Sequence, residues 1–135
     1  MDKRFTILLI ISIFSFIGSS SVRPSPADVP DVSAVYNKTW YSGYLDFTFM
    51  NLPTHMHYFH FPSQSSNPEK DPILFWFNGG PGCSSLLGAL YEHGPFIFND
   101  GFGFLMNNIE AWNKRANTVY IESPAQVGFS YMEIP

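Results

Sequence analysis

The stretch most suited to chemistry is rich in glycine and reads Asn78-Gly79-Gly80-Pro81-Gly82-Cys83-Ser84-Ser85. An apolar run precedes it and a leucine-rich segment follows it, a pattern that predicts a strand, a turn and a helix. Glycine reaches backbone conformations that other residues avoid, and it lets main-chain N–H groups come close to a ligand. The turn is therefore either a tight structural turn or a site where N–H groups face a bound molecule.

Three kinds of site use such a turn between a strand and a helix. A phosphate-binding loop needs a lysine that this turn lacks, and a dinucleotide fingerprint needs glycine where Ser85 stands. A nucleophile elbow, G-x-S-x-G, needs glycine where Leu86 stands, so we interpret Ser84 as a candidate helix cap and not as a nucleophile. An oxyanion hole needs backbone N–H groups aimed at a developing negative charge, and residues 78–82 fit it in position and composition. The residues alone leave this site and the structural turn both open.

The segments around the turn predict the opening of an α/β domain. Residues 73–77 are apolar on both faces, which predicts a central strand covered on both sides. Residues 119–121 predict another buried strand. A helix that begins at the serines is expected to end at Gly94, in a left-handed cap, and at Pro95. A sheet with so few strands would leave an open face and exposed edges, so we interpret the chain as the front part of a larger domain.

The remaining segments predict hairpins and loops. Residues 40–61 contain short segments rich in aromatic residues, interrupted at Asn51-Leu52-Pro53, and this pattern predicts a β-hairpin or meander. The sequence Asn99-Asp100-Gly101 is a turn signal between two further short strands. Residues 22–34 are rich in proline and predict an extended lead-in, and residues 63–72 predict a surface loop.

Residues 1–21 predict a secretory signal peptide. A charged start, the apolar run Phe5–Ile17 and a small-residue exit make up its usual layout. A transmembrane helix needs about 20 apolar residues, so we predict no stable membrane anchor. The mature part is then residues 22–135, and Asn37 opens a glycosylation sequon that suits the secretory route.

The charges, the histidines and the cysteine indicate which partners, metal sites and disulfides to expect. The chain has 135 residues, a net charge of −4 and no cluster of Lys or Arg, so no nucleic-acid partner is expected. In a strand, His55 and His57 would share a face that His60 does not, and no fourth ligand is obvious beside them, so no metal site is predicted. No cofactor is predicted either. The single cysteine, Cys83, implies a missing disulfide partner or a reactive thiol, since exported chains usually pair their cysteines.

The stretch from Trp76 to Ser85 resembles the signature of the serine carboxypeptidase family, whose usual form is W-L-N-G-G-P-G-C-S-S. Other stretches agree with that family in the same order, namely residues 67–72, 92–96, 112–114 and 122–131. The resemblance covers about residues 41–131, and it is strongest to plant members. One departure is Gln126, which stands where the family usually has glycine and leaves the conformation of that turn open.

The resemblance implies an α/β-hydrolase fold, of which this chain is expected to be the N-terminal part with an incomplete sheet. It also implies the removal of C-terminal residues from peptides, so the expected partner is the C-terminus of a peptide substrate. The N–H of Gly80 would supply one oxyanion donor. The substrate's carboxylate would be bound by Trp76, Asn78, Gly79 and Glu92. Glu92 can donate to a carboxylate only when protonated, which favours acidic pH.

Two further consequences follow from the resemblance. Cys83 would form a disulfide with a cysteine further along the polypeptide. The family's serine, aspartate and histidine triad is not found in these 135 residues, which contain no G-E-S-Y-A-G elbow. The chain by itself is therefore predicted to be inactive. A non-catalytic truncated product is an alternative interpretation, and a fragment of a related acyltransferase, which would use the same triad, is another. The implied compartment is extracellular or vacuolar.

Overall fold

The computed structural model describes residues 21–26, 30–99, 101 and 104–135. Apart from Ser21, the segment predicted to be a signal peptide lies outside these residues. The elements are, in chain order, β1 (Ser21–Pro26), α1 (Pro30–Val35), β2 (Tyr41–Phe49), β3 (Leu52–Phe61), a 3-10 turn (Pro68–Lys70), β4 (Ile73–Trp76), a π-helical segment (Gly88–Glu92), β5 (Phe96–Asn99), β6 (Phe104–Asn107), a second 3-10 turn (Trp112–Lys114), β7 (Asn117–Ile121) and β8 (Tyr131–Met132).

Six strands in the described part of the chain form one mixed sheet, ordered β1-β2-β3-β7-β4, with β8 beside β3. β4 runs parallel to β7, from Ile73 opposite Asn117 to Trp76 opposite Tyr120. The other pairs described in this sheet are antiparallel. β5 and β6 form a separate antiparallel pair. A mixed sheet joined to short helical segments is a partial α/β-type domain, in agreement with the predicted class.

The predicted aromatic hairpin is confirmed as β2 and β3. The two residues of its loop, Met50 and Asn51, have φ angles of +50° and +65°, which suit a type I′ turn. This turn sets the register, with Phe49 opposite Leu52. The second predicted hairpin is confirmed as β5 and β6, and Asp100 in its loop lies outside the described residues.

Aromatic rings fill the core on one side of the sheet. Trp40 stacks on Phe61 with ring centroids 5.3 Å apart, and Phe96 and Tyr120 meet Phe61 edge-on at 5.6 and 5.8 Å. Such pairs contribute about 0.5–1.5 kcal/mol each beyond the burial of their area. The core therefore joins β3, β5 and β7 through the ring of Phe61. The buried residues of this cluster are Val32, Tyr36, Trp40, Phe61, Ala89, Phe96 and Tyr120.

The lead-in is partly helical, which corrects the prediction of an extended segment. β1 is extended as expected, but Pro30–Val35 form α1. Proline suits the first helical position, because its φ angle is already helical and its missing N–H would have no partner there. The N–H of Tyr36 donates to the carbonyl of Val32, and both side chains are buried in the aromatic core. Their four-residue spacing places them on the same side of the turn.

β4 differs from a second prediction, because within the described residues it lies at the edge of the sheet and is not covered on both sides. Its partner in the described sheet is β7. Ile73 and Phe75 point to one face of the strand and are 62% and 51% exposed. Within the described residues nothing covers this apolar row. The apolar pattern indicated what the strand could bury, but it carried no information on which element would lie over it.

The helical segment after the glycines is confirmed, although it ends for a different reason from the one predicted. The Ser84 hydroxyl accepts the N–H of Leu86 at 3.1 Å, but the N-cap position of the π-helical segment is Leu87, which makes no side-chain capping hydrogen bond. Gly94 does not adopt the positive φ of a left-handed cap. A Cβ atom at Gly94 would lie 1.9 Å from the carbonyl oxygen of Ala89, so close approach is what requires glycine there.

The turn after β7 keeps a glycine-like backbone without a glycine. Gln126 has a φ of +74°, and its N–H donates to the carbonyl of Ser130 at 2.9 Å. A residue with a Cβ atom in this left-handed region carries a cost of roughly 1–2 kcal/mol. Gln126 therefore carries a backbone strain that glycine at this position would avoid.

We expect Gln126→Gly to stabilise the protein by roughly 0.5–1 kcal/mol. Glycine removes the left-handed penalty, and its own entropic cost of about 0.5–1 kcal/mol offsets part of that gain. Gln126→Ala keeps the Cβ atom and is the control, with no gain expected. Free energies of unfolding from denaturant titrations of the three proteins measure the difference. Equal stabilities of the two variants would contradict backbone strain at this position.

Candidate functional site

The candidate site lies where β4 and β7 end side by side. Because the two strands are parallel, their carboxyl ends meet at one edge of the sheet, which is where open α/β sheets bind ligands. The glycine turn, defined here as residues 78–82, follows β4 at this edge. Glu122 follows β7 at the same edge.

The backbone of the glycine turn accepts glycine alone at its centre. Gly80 has a φ of +141°, and a Cβ atom on it would lie 2.9 Å from the backbone nitrogen of Gly82 and 3.1 Å from that of Cys83. Gly82 has a φ of +97°. Gly79 and Gly80 are exposed. The backbone nitrogens of Gly82 and Cys83 therefore lie close to the main chain of Gly80 in an exposed turn.

Two hydrogen bonds fix Asn78 at the start of the turn. The indole N–H of Trp76 donates to Oδ1 of Asn78 at 2.7 Å. The backbone N–H of Asn78 donates to the hydroxyl of Ser85 at 3.0 Å, and that hydroxyl donates to the carbonyl of Ile121 at 2.5 Å. Ser85 is 1% exposed. Because an indole N–H can only donate, Oδ1 must face it, and the Asn78 amide is held in one orientation.

The rings of Trp76, His93 and Trp112 form an aromatic wall beside Asn78. The ring of His93 meets Trp76 edge-on at 4.3 Å and stacks on Trp112 at 4.0 Å. The hydroxyl of Tyr120 lies 2.9 Å from Nδ1 of His93. Burial lowers the pKa of His93 below its ordinary value, and the charge of Glu92 opposes this shift. The Glu92 carboxylate lies 3.8 Å from Nε2 of His93, and its side chain is 51% exposed.

The residues predicted from the sequence therefore fall into two groups. Trp76, Asn78, Gly79 and Gly80 come together at the glycine turn. Glu92 lies at the end of the π-helical segment, and the ring of His93 lies near both the Glu92 carboxylate and Trp76. The two other predicted sites are surface positions, because the Cys83 thiol is free and exposed and Asn37 is exposed. The expected disulfide and the expected glycan remain predictions.

Glu122 is a buried acidic residue that the sequence analysis did not single out. Its side chain is fully buried, and it accepts hydrogen bonds from Nδ1 of His57 at 2.9 Å and from the N–H of Phe129 at 2.8 Å. The hydroxyl of Ser84 also donates to it. A Cβ atom at Gly128 would lie 1.7 Å from its Oε1, so glycine leaves room for the carboxylate. The sequence did contain a signal, namely a glutamate directly after a buried strand.

Opposing effects act on the ionisation of this carboxyl. Burial favours the protonated form and is the largest single effect. The hydrogen bonds from His57, Ser84 and the Phe129 N–H together outweigh it, and they hold the pKa of Glu122 below its ordinary value. The site therefore contains a buried carboxylate that remains ionised because three donors converge on it.

Two of the three histidines of β3, His55 and His57, form hydrogen bonds to acidic residues. His57 lies between Glu122 and the hydroxyl of Ser42, which is 2.8 Å from its Nε2. His55 lies between Asp46 at 2.8 Å and Glu133 at 3.2 Å. Across the described ranges, no group of three or more His, Cys, Asp or Glu side chains is arranged to hold a metal ion. The absence of a metal remains a prediction.

Comparison with known sequences decides the family. A sequence model of the serine carboxypeptidase family matches residues 30–134, which include the glycine turn and Glu122. The chain belongs to the serine carboxypeptidase family. In the described part of this family member, no helix is long and apolar enough to cross a membrane.

Its relatives are several times longer. The chain is similar to the lysosomal protective protein of Mus musculus, with 40% identity over 129 residues, which cover 93% of this chain and 26% of the mouse protein. It is 36% identical over 135 residues to serine carboxypeptidase-like 20 of Arabidopsis thaliana, covering 96% of this chain and 27% of the plant protein. A crystal structure of a prohormone-processing carboxypeptidase from Saccharomyces cerevisiae aligns with a TM-score of 0.60 and 32% identity, over 80% of this chain and 23% of the yeast chain. This serine carboxypeptidase family member thus spans about a quarter of the length of these relatives.

We expect Ser85→Ala to destabilise the protein by about 1–3 kcal/mol, because it leaves the Asn78 N–H and the Ile121 carbonyl without their buried partner. Ser65→Ala is a matched control. The Ser65 hydroxyl also accepts one hydrogen bond and donates another, but it is exposed to water. Its loss should change the free energy of unfolding by less than about 0.5 kcal/mol. Equal effects in denaturant titrations would contradict the structural role of Ser85.

The lowered pKa of Glu122 predicts a contribution to stability that depends on pH. Since the folded state binds this proton less readily than the unfolded state does, the contribution is present above the ordinary value of 4.5 and is lost as the pH falls through the folded pKa. The free energy of unfolding of the wild type should therefore fall more steeply with acidification than that of Glu122→Gln. Parallel pH profiles would show that the carboxylate makes no such contribution.

Proposed function

We propose that this chain supplies the oxyanion-binding turn and the carboxylate-binding residues of a secreted serine carboxypeptidase with an α/β-hydrolase fold. The observation that carries the proposal is the hydrogen bond between Trp76 and Asn78. It fixes Asn78 at the start of the exposed glycine turn, which follows the carboxyl end of the parallel strand β4. Family membership and the similarity to the yeast carboxypeptidase support it.

The glycine turn would act on the reacting carbonyl of the substrate. In acyl transfer, negative charge develops on that oxygen, and preorganised N–H donors lower the barrier. We assign one such donor to Gly80, whose exposed position and positive φ leave its main chain accessible. The loss of one donor from an oxyanion hole typically costs about 10²–10³-fold in rate.

Asn78 and Glu92 would bind the C-terminal carboxylate of the peptide. The Trp76 indole occupies Oδ1 of Asn78, so the amide can present its N–H₂ group, a donor, to an anion. Glu92 is half exposed near the aromatic wall, and in its protonated form it can donate to the same carboxylate. Two donors placed in this way select a free C-terminus over an amide, and they work best in an acidic compartment.

The nucleophile would come from polypeptide outside these 135 residues. The sequence contains no G-x-S-x-G elbow, and the relatives are about four times as long as this chain. A secretory route to the cell exterior or to an acidic, vacuole-like compartment is part of the proposal. It is supported by the exposed sequon residue Asn37 and by the name of the mouse relative, which places that protein in the lysosome.

The test uses the protein expressed from its complete coding sequence, with an N-blocked dipeptide as the substrate. We expect release of the C-terminal residue, inhibition by a serine-directed phosphonofluoridate and no release from the C-terminal amide. Glu92→Gln should flatten the rise of KM from acidic to neutral pH, because the Gln side chain donates at every pH. Glu110→Gln, at another exposed carboxylate, is the control and should leave the profile unchanged. Equal cleavage of the amide, or transfer of the acyl group to an added alcohol in place of hydrolysis, would refute the carboxypeptidase assignment.

A further inference from the structure

The glycine turn has an upstream arm at Asn78 and a downstream arm at Ser84, and hydrogen bonds link both arms to the carboxyl end of β7. On the upstream arm, the hydroxyl of Ser85 joins the N–H of Asn78 to the carbonyl of Ile121. On the downstream arm, the hydroxyl of Ser84 donates to Oε1 of Glu122. The backbone nitrogens of Gly82 and Cys83 lie close to Gly80. A shift of either arm would therefore move these nitrogens relative to a bound substrate.

We propose that Glu122 is a positioning residue for the glycine turn, because its buried carboxylate holds Ser84 and, through Ser84, the N–H groups of the turn. The effect on catalysis rests on the proposed function. The mechanical link between Glu122 and the turn does not, since it follows from the contacts alone.

The carboxylate suits this role because it cannot change partners. Its two oxygens meet three donors from separate segments, namely Nδ1 of His57 in β3, the N–H of Phe129 and the hydroxyl of Ser84. Its side chain has no exposed surface, so water cannot replace any of them. Ser130 adds a further constraint, because its hydroxyl donates to the backbone carbonyl of Glu122 at 2.6 Å.

The expected consequence is a loss of rate and not of substrate affinity. The carboxylate-binding residue Asn78 is held by the upstream arm, which Glu122 does not contact. The oxyanion donors depend on both arms, and a misplacement of about 1 Å in a reacting geometry can cost about 10²-fold in rate. An interaction that matters only in the transition state lowers kcat and leaves KM almost unchanged.

Glu122→Gln tests the proposal in the complete protein. Glutamine has the same shape, but its amide nitrogen places a donor against one of the three donors that surround the side chain. We expect kcat for an N-blocked dipeptide to fall about 10–100-fold while KM stays within about twofold. Asp46→Asn is the matched control, because Asp46 forms the other carboxylate–histidine pair of the same hairpin, with His55 at 2.8 Å. Its kcat should stay within about twofold of the wild type, as expected for a residue away from the reacting groups.

The Ser84 variants separate the hydrogen bond from general destabilisation. Ser84→Ala should lower kcat as Glu122→Gln does, and the double variant should be no worse than either single variant. Ser84→Thr keeps the hydroxyl and should restore most of the rate. If Glu122→Gln does not fold, the comparison of Ser84→Ala with Ser84→Thr tests the proposal by itself.

Hydrogen exchange provides a readout that does not depend on activity. Peptides that cover residues 78–83 should exchange faster in Glu122→Gln than in the wild type or in Asp46→Asn. If the wild-type protein releases no C-terminal residue, the proposed function fails, and the exchange result alone decides the positioning role. Wild-type exchange in Glu122→Gln overturns the inference. Equal losses of kcat in Glu122→Gln and Asp46→Asn, or additive losses in the double variant, also overturn it.

Discussion

The buried carboxylate of Glu122 is the constraint on which the organisation of the site depends. An ionised group away from water is tolerated only when hydrogen bonds replace its hydration, and here the donors come from β3, from the segment after the glycine turn and from the loop before β8. These segments are far apart in the chain, so satisfying one carboxylate draws them together. Gly128 is part of the same constraint, since any side chain there would occupy the space of the carboxylate.

The parallel pairing of β4 and β7 places Glu122 next to the glycine turn. Parallel neighbours end at the same edge of the sheet, so the glycine turn and Glu122 face each other without a further connecting element. The aromatic cluster around Phe61 keeps β7 in place from one side of the sheet. On β4, an apolar row that includes Phe75 is exposed, so the strand that carries the turn is supported mainly through its pairing with β7.

Local patterns predicted the elements well where the physical cause is itself local. The β2–β3 hairpin follows from aromatic residues on both sides of a turn that tolerates positive φ at Asn51, and the apolar residues 119–121 predicted the second part of β7. The predictions failed where the cause lies in a distant partner. Pro30–Val35 are helical because Val32 and Tyr36 reach the core, and Gly94 is needed because the carbonyl of Ala89 lies close to it. The partners that make these contacts lie outside the segments from which the predictions were made.

The sequence by itself determined the family. It also predicted that the glycine turn lies close to Trp76 and Asn78, because these residues are neighbours in the chain. Only the tertiary structure decided that β4 lies at the edge of the described sheet, that His93 lies near both Glu92 and Trp76, and that Glu122 joins the turn to β3. The physical reason is that hydrogen bonds and ring contacts act over a few ångströms, whatever the separation of their residues along the chain. A single sequence records the residue types, and the fold brings their partners within reach.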